Sequence, residues 1–160
     1  MVEHSAYIRQ VVGSSPTGPT KFKIMNTFLV KTIENMTIAY VAKTGNPATV
    51  AGKAFWELER KVPLKGNKFY GIYNESKNEY WACVAINQEN QDAIKDLAHG
   101  EIAGGVYACA TLSGNYNSLL REIAPTFNAL IKEYTRDTTR LPVEFYKRHT
   151  EIIVMLPITD

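Results

Sequence analysis

One carboxylate stands out in the last third of the chain. Glu144 lies within LPVEFY (residues 141–146), a strand-like run that is otherwise apolar and aromatic. A carboxylate facing water in a strand does nothing special. Facing an apolar cleft it is costly to bury, and a site that keeps it there has a use for it. Side chains alternate along a strand, so Tyr146 shares the face of Glu144, while Val143 and Phe145 take the other. A carboxylate among aromatic rings offers an ion pair plus cation–π contacts to a delocalised cation, each of the latter about 0.5–2 kcal/mol. In an enzyme, the same carboxylate is a candidate general base.

Other chemistry is poorly represented. His4, His99 and His149 are scattered without ligand spacing, so no metal site is expected. Cys83 and Cys109 form no CxxC and sit in strand-like segments, which suits buried reduced thiols in a cytoplasmic protein. No nucleophile–base–orienter set is visible. No cofactor is expected.

The elements that must position Glu144 follow from periodicity. Of the 160 residues, 45% are apolar and 21% charged, and the net charge is +2. This composition fits one globular domain and gives no clustered basic face for nucleic acid. No window approaches the roughly 18 apolar residues that span a bilayer, so no membrane association is expected. Residues 1–24 lack apolar periodicity, and GSSPTGPT is a run of turn formers. Residues 11–20 resemble a conceptual translation of the 3′ end of a transfer-RNA gene. Residues 1–24 are therefore expected to be a non-structural extension, with the functional start at Met25 and a single domain over 25–160. They are also too short and rich in Pro and Gly to hold a helix-turn-helix, so no direct nucleic-acid binding is expected.

From residue 26 the pattern becomes regular. Two strands, 28–33 and 36–43, are joined by Glu34-Asn35. Asn46 and Pro47 then suit the N-cap and first position of a helix carrying Val50, Ala51, Ala54, Phe55 and Leu58 on one stripe. Strands follow at 68–73 and 79–86, a linker at 87–92, and a short edge strand within 94–102. A strand at 106–112 leads through Ser113-Gly114-Asn115 into a helix with Leu119, Leu120, Ile123, Phe127, Leu130 and Ile131 on one side. Pro125 predicts a kink in it, or two pieces. Strands at 143–147 and 151–158 complete the set.

The order repeats. Gly45 and Gly114 each close a strand and open a helix, residues 69–73 match the strand holding Glu144, and 79–86 matches 151–158. The offset is about 70 residues, a tandem duplication of a strand-helix-strand-strand unit over about 27–88 and 93–159. The expected fold is α+β: an antiparallel sheet with helices, pseudo-twofold symmetry, and a ligand cleft at the junction. Tyr73 is then the mate of Tyr146, and Gly71 the mate of Glu144, which predicts an asymmetric pocket.

The stretches IAYVAKTG, FYGIY, YWACVAI, IAGGVYA, LSGNY, VEFY and TEIIVMLPI, in this order and spacing, resemble the gyrase-inhibitor-like small-molecule-binding domain. That domain also serves as the effector-binding module of AraC-type and MerR-type multidrug regulators. The resemblance implies the duplicated fold, a pocket between sheet and helices, and Glu144 as the carboxylate that attracts cationic aromatic ligands. Trp81 and Met155 are expected as pocket wall, although the family often has an acidic residue and an aromatic there. Tyr116 is a candidate for the cleft rim. Each has a plainer reading as well: Trp81 and Tyr73 as core, Tyr116 as a packing contact at a helix start, Met155 as a gap filler.

The leading expectation is a stand-alone protein that senses or sequesters cationic or amphipathic drug-like compounds, with room for a protein partner or homodimer. One alternative is a hydrolase of electrophilic small molecules that uses Glu144 as general base. Another is a protein-interaction module like the family's gyrase inhibitors.

Overall fold

A computed structural model describes residues 28–159, so the extension expected at 1–24 lies outside the described residues. The chain runs β1 (Leu29–Ile33), β2 (Met36–Thr44), α1 (Pro47–Glu59), β3 (Phe69–Asn74), β4 (Glu79–Ala85), α2 (Gln91–Ile94), β5 (Ala98–Ile102), β6 (Gly105–Ser113), α3 (Tyr116–Glu133), β7 (Val143–Arg148) and β8 (Glu151–Pro157). All eight strands form one curled antiparallel sheet in the order β1-β6-β8-β7-β3-β4-β2-β5.

The two halves are built alike down to register. Ile38 faces Ala85 as Tyr107 faces Pro157, and Gly71 faces Ala82 as Glu144 faces Val154. Both long helices start in the same way. Gly45 and Gly114 take φ of 133° and 141°, conformations that L side chains rarely adopt. Asn46 and Asn115 then cap: the Asn46 side chain accepts from the Ala48 N–H at 2.7 Å, and that of Asn115 from the Asn117 N–H at 3.1 Å.

One feature of the repeat differs from a strand-helix-strand-strand unit. Each half has a leading strand, and that strand joins the sheet of the other half. β1 precedes β2 but pairs with β6, while β5 precedes β6 but pairs with β2. Glu34-Asn35 is therefore a crossover, not a hairpin turn. It is pinned by Asn35, whose side-chain oxygen accepts from the Gly104 N–H at 2.6 Å. The short edge strand expected within 94–102 is β5.

Pro125 does not divide the second helix, because α3 is one continuous element of 18 residues. A proline in a helix forfeits one backbone bond. Here Pro125 and Arg121, whose carbonyl loses its partner, are both on the exposed side, where water replaces it.

The sheet has one helix-covered face. Helix α1 lies over β4 and β2, and α3 over β8 and β6, so β3 and β7 run between the two covered halves. Ala82, Val84, Ile152, Val154 and Leu156 from the strands bury against Ala54, Phe55, Leu58, Leu119, Ile123 and Leu130 from the helices. The opposite face is covered by its own large side chains. Tyr40 stacks on Trp81 with ring centroids 4.1 Å apart, and Tyr70 on Phe145 at 4.7 Å, over Ile38, Ile72, Cys83 and Met155.

Candidate functional site

Strands β3 and β7 meet through three residue pairs, Phe69–Tyr146, Tyr70–Phe145 and Gly71–Glu144. This junction of the two halves sets the site. Glu144 projects to the helix-covered face, flanked by Gly71 on one side and Val154 on the other. It is only 5% exposed, one of three buried polar or charged residues among those described. An ionised group with so little water needs polar partners. Two tyrosines supply them. The Tyr146 hydroxyl donates to Glu144 Oε1 at 2.6 Å and the Tyr80 hydroxyl donates to the same oxygen at 2.9 Å. The two hydroxyl oxygens are 3.5 Å apart.

Each partner arrives by a different route. Tyr146 lies two residues along β7, on the same face as Glu144. Tyr80 comes from β4, one strand beyond β3, and crosses over Gly71 to reach the carboxylate. From α1, Phe55 meets both in tilted, edge-to-face pairs: its centroid lies 5.1 Å from that of Tyr146, at 72°, and 6.1 Å from that of Tyr80, at 61°. Edge-to-face aromatic pairs contribute about 0.5–1.5 kcal/mol beyond the area they bury. Phe55 thereby fixes the rings whose hydroxyls hold the carboxylate. The result is an anionic oxygen fixed by two phenols beneath an aromatic cover, between the two helices.

The charge is felt through the sheet. Burial, and then the charge of Glu144, push the Cys83 thiol well above its ordinary value. Cys83 faces away from the site, and both described cysteines are reduced and buried. Among the described residues no group of three or more His, Cys, Asp or Glu converges to hold a metal.

The residues singled out in the sequence fall into two groups. Glu144 and Tyr146 come together as expected. Tyr73 shares their sheet face and is half-buried, but its hydroxyl donates to Asn78 Oδ1 at 2.8 Å, toward the β3–β4 turn. Tyr116 opens α3, is buried in the helix-side core and stacks on His149 at 4.7 Å. Trp81 and Met155 lie on the opposite face of the sheet from Glu144. Trp81 stacks on Tyr40 and its indole N–H donates to Glu79 Oε1 at 3.0 Å, while Met155 packs with Val143 and Cys109 in register. Their expected place as wall of the Glu144 site is corrected by the pairing. Glu144 faces Gly71, and Gly71 faces Ala82, so Ala82 and its face-mate Tyr80 stand with the carboxylate and Trp81 cannot.

Tyr80 and Phe55 were missed in the sequence. The β3–β4 hairpin register could have found Tyr80, because it sets Tyr80 opposite Tyr73, on the face of Gly71.

No family model and no curated protein matches this chain. Solved structures match its fold. The SAV2435 protein bound to tetraphenylphosphonium is 11% identical with a TM-score of 0.59, over 83% of this chain and 94% of that one. The EcmrR C-terminal domain is 13% identical with a TM-score of 0.58, over 88% and 99%. A hydrolase from Listeria innocua is 14% identical with a TM-score of 0.54, over 86% and 94%. These likenesses establish the architecture that the sequence motifs suggested.

Proposed function

We propose that this protein binds small amphipathic cations, and that Glu144 is the counter-charge. The observation that carries the reading is the placement of Glu144. A carboxylate 5% exposed, held by two tyrosine hydroxyls at the junction of the two halves, is an expensive arrangement for a fold that needs only apolar packing there. The surrounding rings of Tyr80, Tyr146 and Phe55 suit a delocalised positive charge. Such a ligand gains from the charge and from the π faces without requiring a directional hydrogen bond. The fold is shared with a protein solved with tetraphenylphosphonium, a ligand of this chemistry. Sensing or sequestering such a compound is the role this reading gives the protein, whose fold is shared with the EcmrR C-terminal domain as well.

Titration calorimetry with tetraphenylphosphonium tests the reading. The wild-type protein binds it, and Glu144→Gln, which keeps the shape and the hydrogen-bond acceptor, weakens binding at least about tenfold, or about 1.4 kcal/mol. Equal affinity of the two proteins sinks the proposal.

A second reading is hydrolysis of an electrophilic small molecule, with Glu144 as general base for water and the phenols of Tyr80 and Tyr146 close by as proton donors. The convergence of two phenols on one oxygen of a carboxylate is what favours it. Turnover of an electrophilic substrate that disappears in Glu144→Gln would establish it; binding without turnover across such a panel leaves the receptor reading in place.

A further inference from the structure

Gly71 stands directly across the β3–β7 junction from Glu144 and has no role in the chemistry above. Glycine in a strand interior weakens the strand, and it persists where backbone freedom is needed or where another group comes close. Backbone freedom is not the reason here. Gly45, Gly66, Gly105 and Gly114 take positive φ, and Gly71 does not.

Space is the reason. A Cβ built on Gly71 would overlap the Tyr80 hydroxyl, stand 2.6 Å from Glu144 Oε1, and lie 3.0 Å from Tyr80 Cζ. Tyr80 itself cannot yield easily. Its ring is fully buried and packed against Phe55. The hydrogen bond from Tyr80 to Glu144 therefore passes through the volume that any other residue at 71 would occupy.

We infer that Gly71 is a positioning residue: its missing side chain is the space through which the Tyr80 hydroxyl reaches and fixes Glu144. For ligand binding, this inference rests on the reading of Glu144 as the counter-charge. As a statement about the tyrosine–carboxylate bond, it stands without a ligand. A methyl group at 71 would push the hydroxyl off Oε1, leave the carboxylate without its Tyr80 donor, and shift it from its place. At this pair of equivalent positions the first half of the chain contributes an absence and the second half a charge.

Two variants and two measurements test this. Gly71→Ala is expected to lower the thermal midpoint and to weaken tetraphenylphosphonium binding by roughly tenfold or more, the loss of a hydrogen bond to a charged group. Binding of neutral triphenylphosphine oxide is expected to change little, so the preference for cation over neutral aromatic falls. The deciding arm is Gly71→Ala introduced into Tyr80→Phe. Loss of the hydroxyl removes the closest obstacle and leaves Glu144, 2.6 Å from the added Cβ, with one donor fewer and free to give way, so the drop in midpoint caused by Gly71→Ala shrinks by more than half. A Gly71→Ala protein with wild-type midpoint and affinity overturns the inference. So does a double variant in which Gly71→Ala costs as much as it does alone, including one that fails to fold, since the Tyr80 hydroxyl would then not be what rejects the methyl. If the wild type itself ignores tetraphenylphosphonium, the cation reading fails while the midpoint comparison still decides the role of Gly71.

Discussion

The hydroxyl of Tyr146 makes the shorter of the two bonds to Glu144 Oε1, 2.6 Å against 2.9 Å for Tyr80. Removing it by Tyr146→Phe leaves the ring, and hence the edge contact with Phe55, in place. A hydrogen bond to a charged group contributes about 1.5–3 kcal/mol and one between neutral groups about 0.5–1.5 kcal/mol. Tyr146→Phe is therefore expected to lower unfolding stability by about 1.5–3 kcal/mol in the wild type. In a Glu144→Gln background the acceptor is a neutral amide oxygen, and the same change is expected to cost about 0.5–1.5 kcal/mol. Both tyrosines donate to one oxygen, so the two single changes are not expected to add; coupling within such a network is about 0.5–3 kcal/mol. Urea denaturation followed by far-ultraviolet circular dichroism reads all of these, with an unchanged slope showing that the unfolded state is unaffected. Equal costs of Tyr146→Phe in the two backgrounds would refute the picture of a charged oxygen held by phenols.

The remaining expectations concern other parts of the molecule. Met155→Ala, on the far face, should cost about 2–5 kcal/mol of stability and leave tetraphenylphosphonium affinity at the wild-type value in calorimetry. Trp81→Ala should likewise spare affinity while removing a stacked pair with Tyr40. Asn46→Ala and Asn115→Ala should each destabilise by about 0.5–2 kcal/mol, read by thermal unfolding, because each deletes the cap of a long helix. Asp137 is held at a pKa of about 2, below its ordinary 3.8, by hydrogen bonds from Thr139 and then Arg140. A lowered folded-state value stabilises above the unfolded pKa and is lost as pH falls through the folded one. The stability deficit of Asp137→Asn should therefore be complete above about pH 4. It should fade as pH falls toward about 2, in urea unfolding curves taken across that range.

Much of the architecture could be read from the residues, because the repeated unit announces itself twice. Asn46 and Asn115, each after a glycine and before an apolar stripe, mark both helices. The equivalence of Gly71 with Glu144 and of Tyr73 with Tyr146 followed from the offset alone. The face of β4 did not follow. EYWACVAI is apolar on both sides, since one face packs under α1 and the other under stacked aromatic rings. Alternation then divides Tyr80 from Trp81 without saying which belongs with Glu144. Only the pairing of Gly71 with both Ala82 and Glu144 decides it. The crossover of β1 was hidden for a related reason. A two-residue link between two strands looks the same in sequence whether the strands pair with each other or with partners far along the chain.

The register at the junction has a consequence for how such a site can arise. Gly71 and Glu144 are equivalent positions of the two halves, and they are also paired with each other. They therefore sit on the pseudo-twofold axis. In a dimer of two identical single-repeat chains, an isologous contact of this kind sets a residue against its own copy. That position could then be glutamate against glutamate, with like charges directly opposed, or glycine against glycine, with no charge at all. Neither gives one carboxylate with room beside it for a tyrosine hydroxyl. Only a covalent duplication frees the two sides of the axis to differ, and the exchange of β1 and β5 between halves keeps the fused chain clasped while they do. The asymmetry of the site is thus something that a homodimer of this unit could not have had.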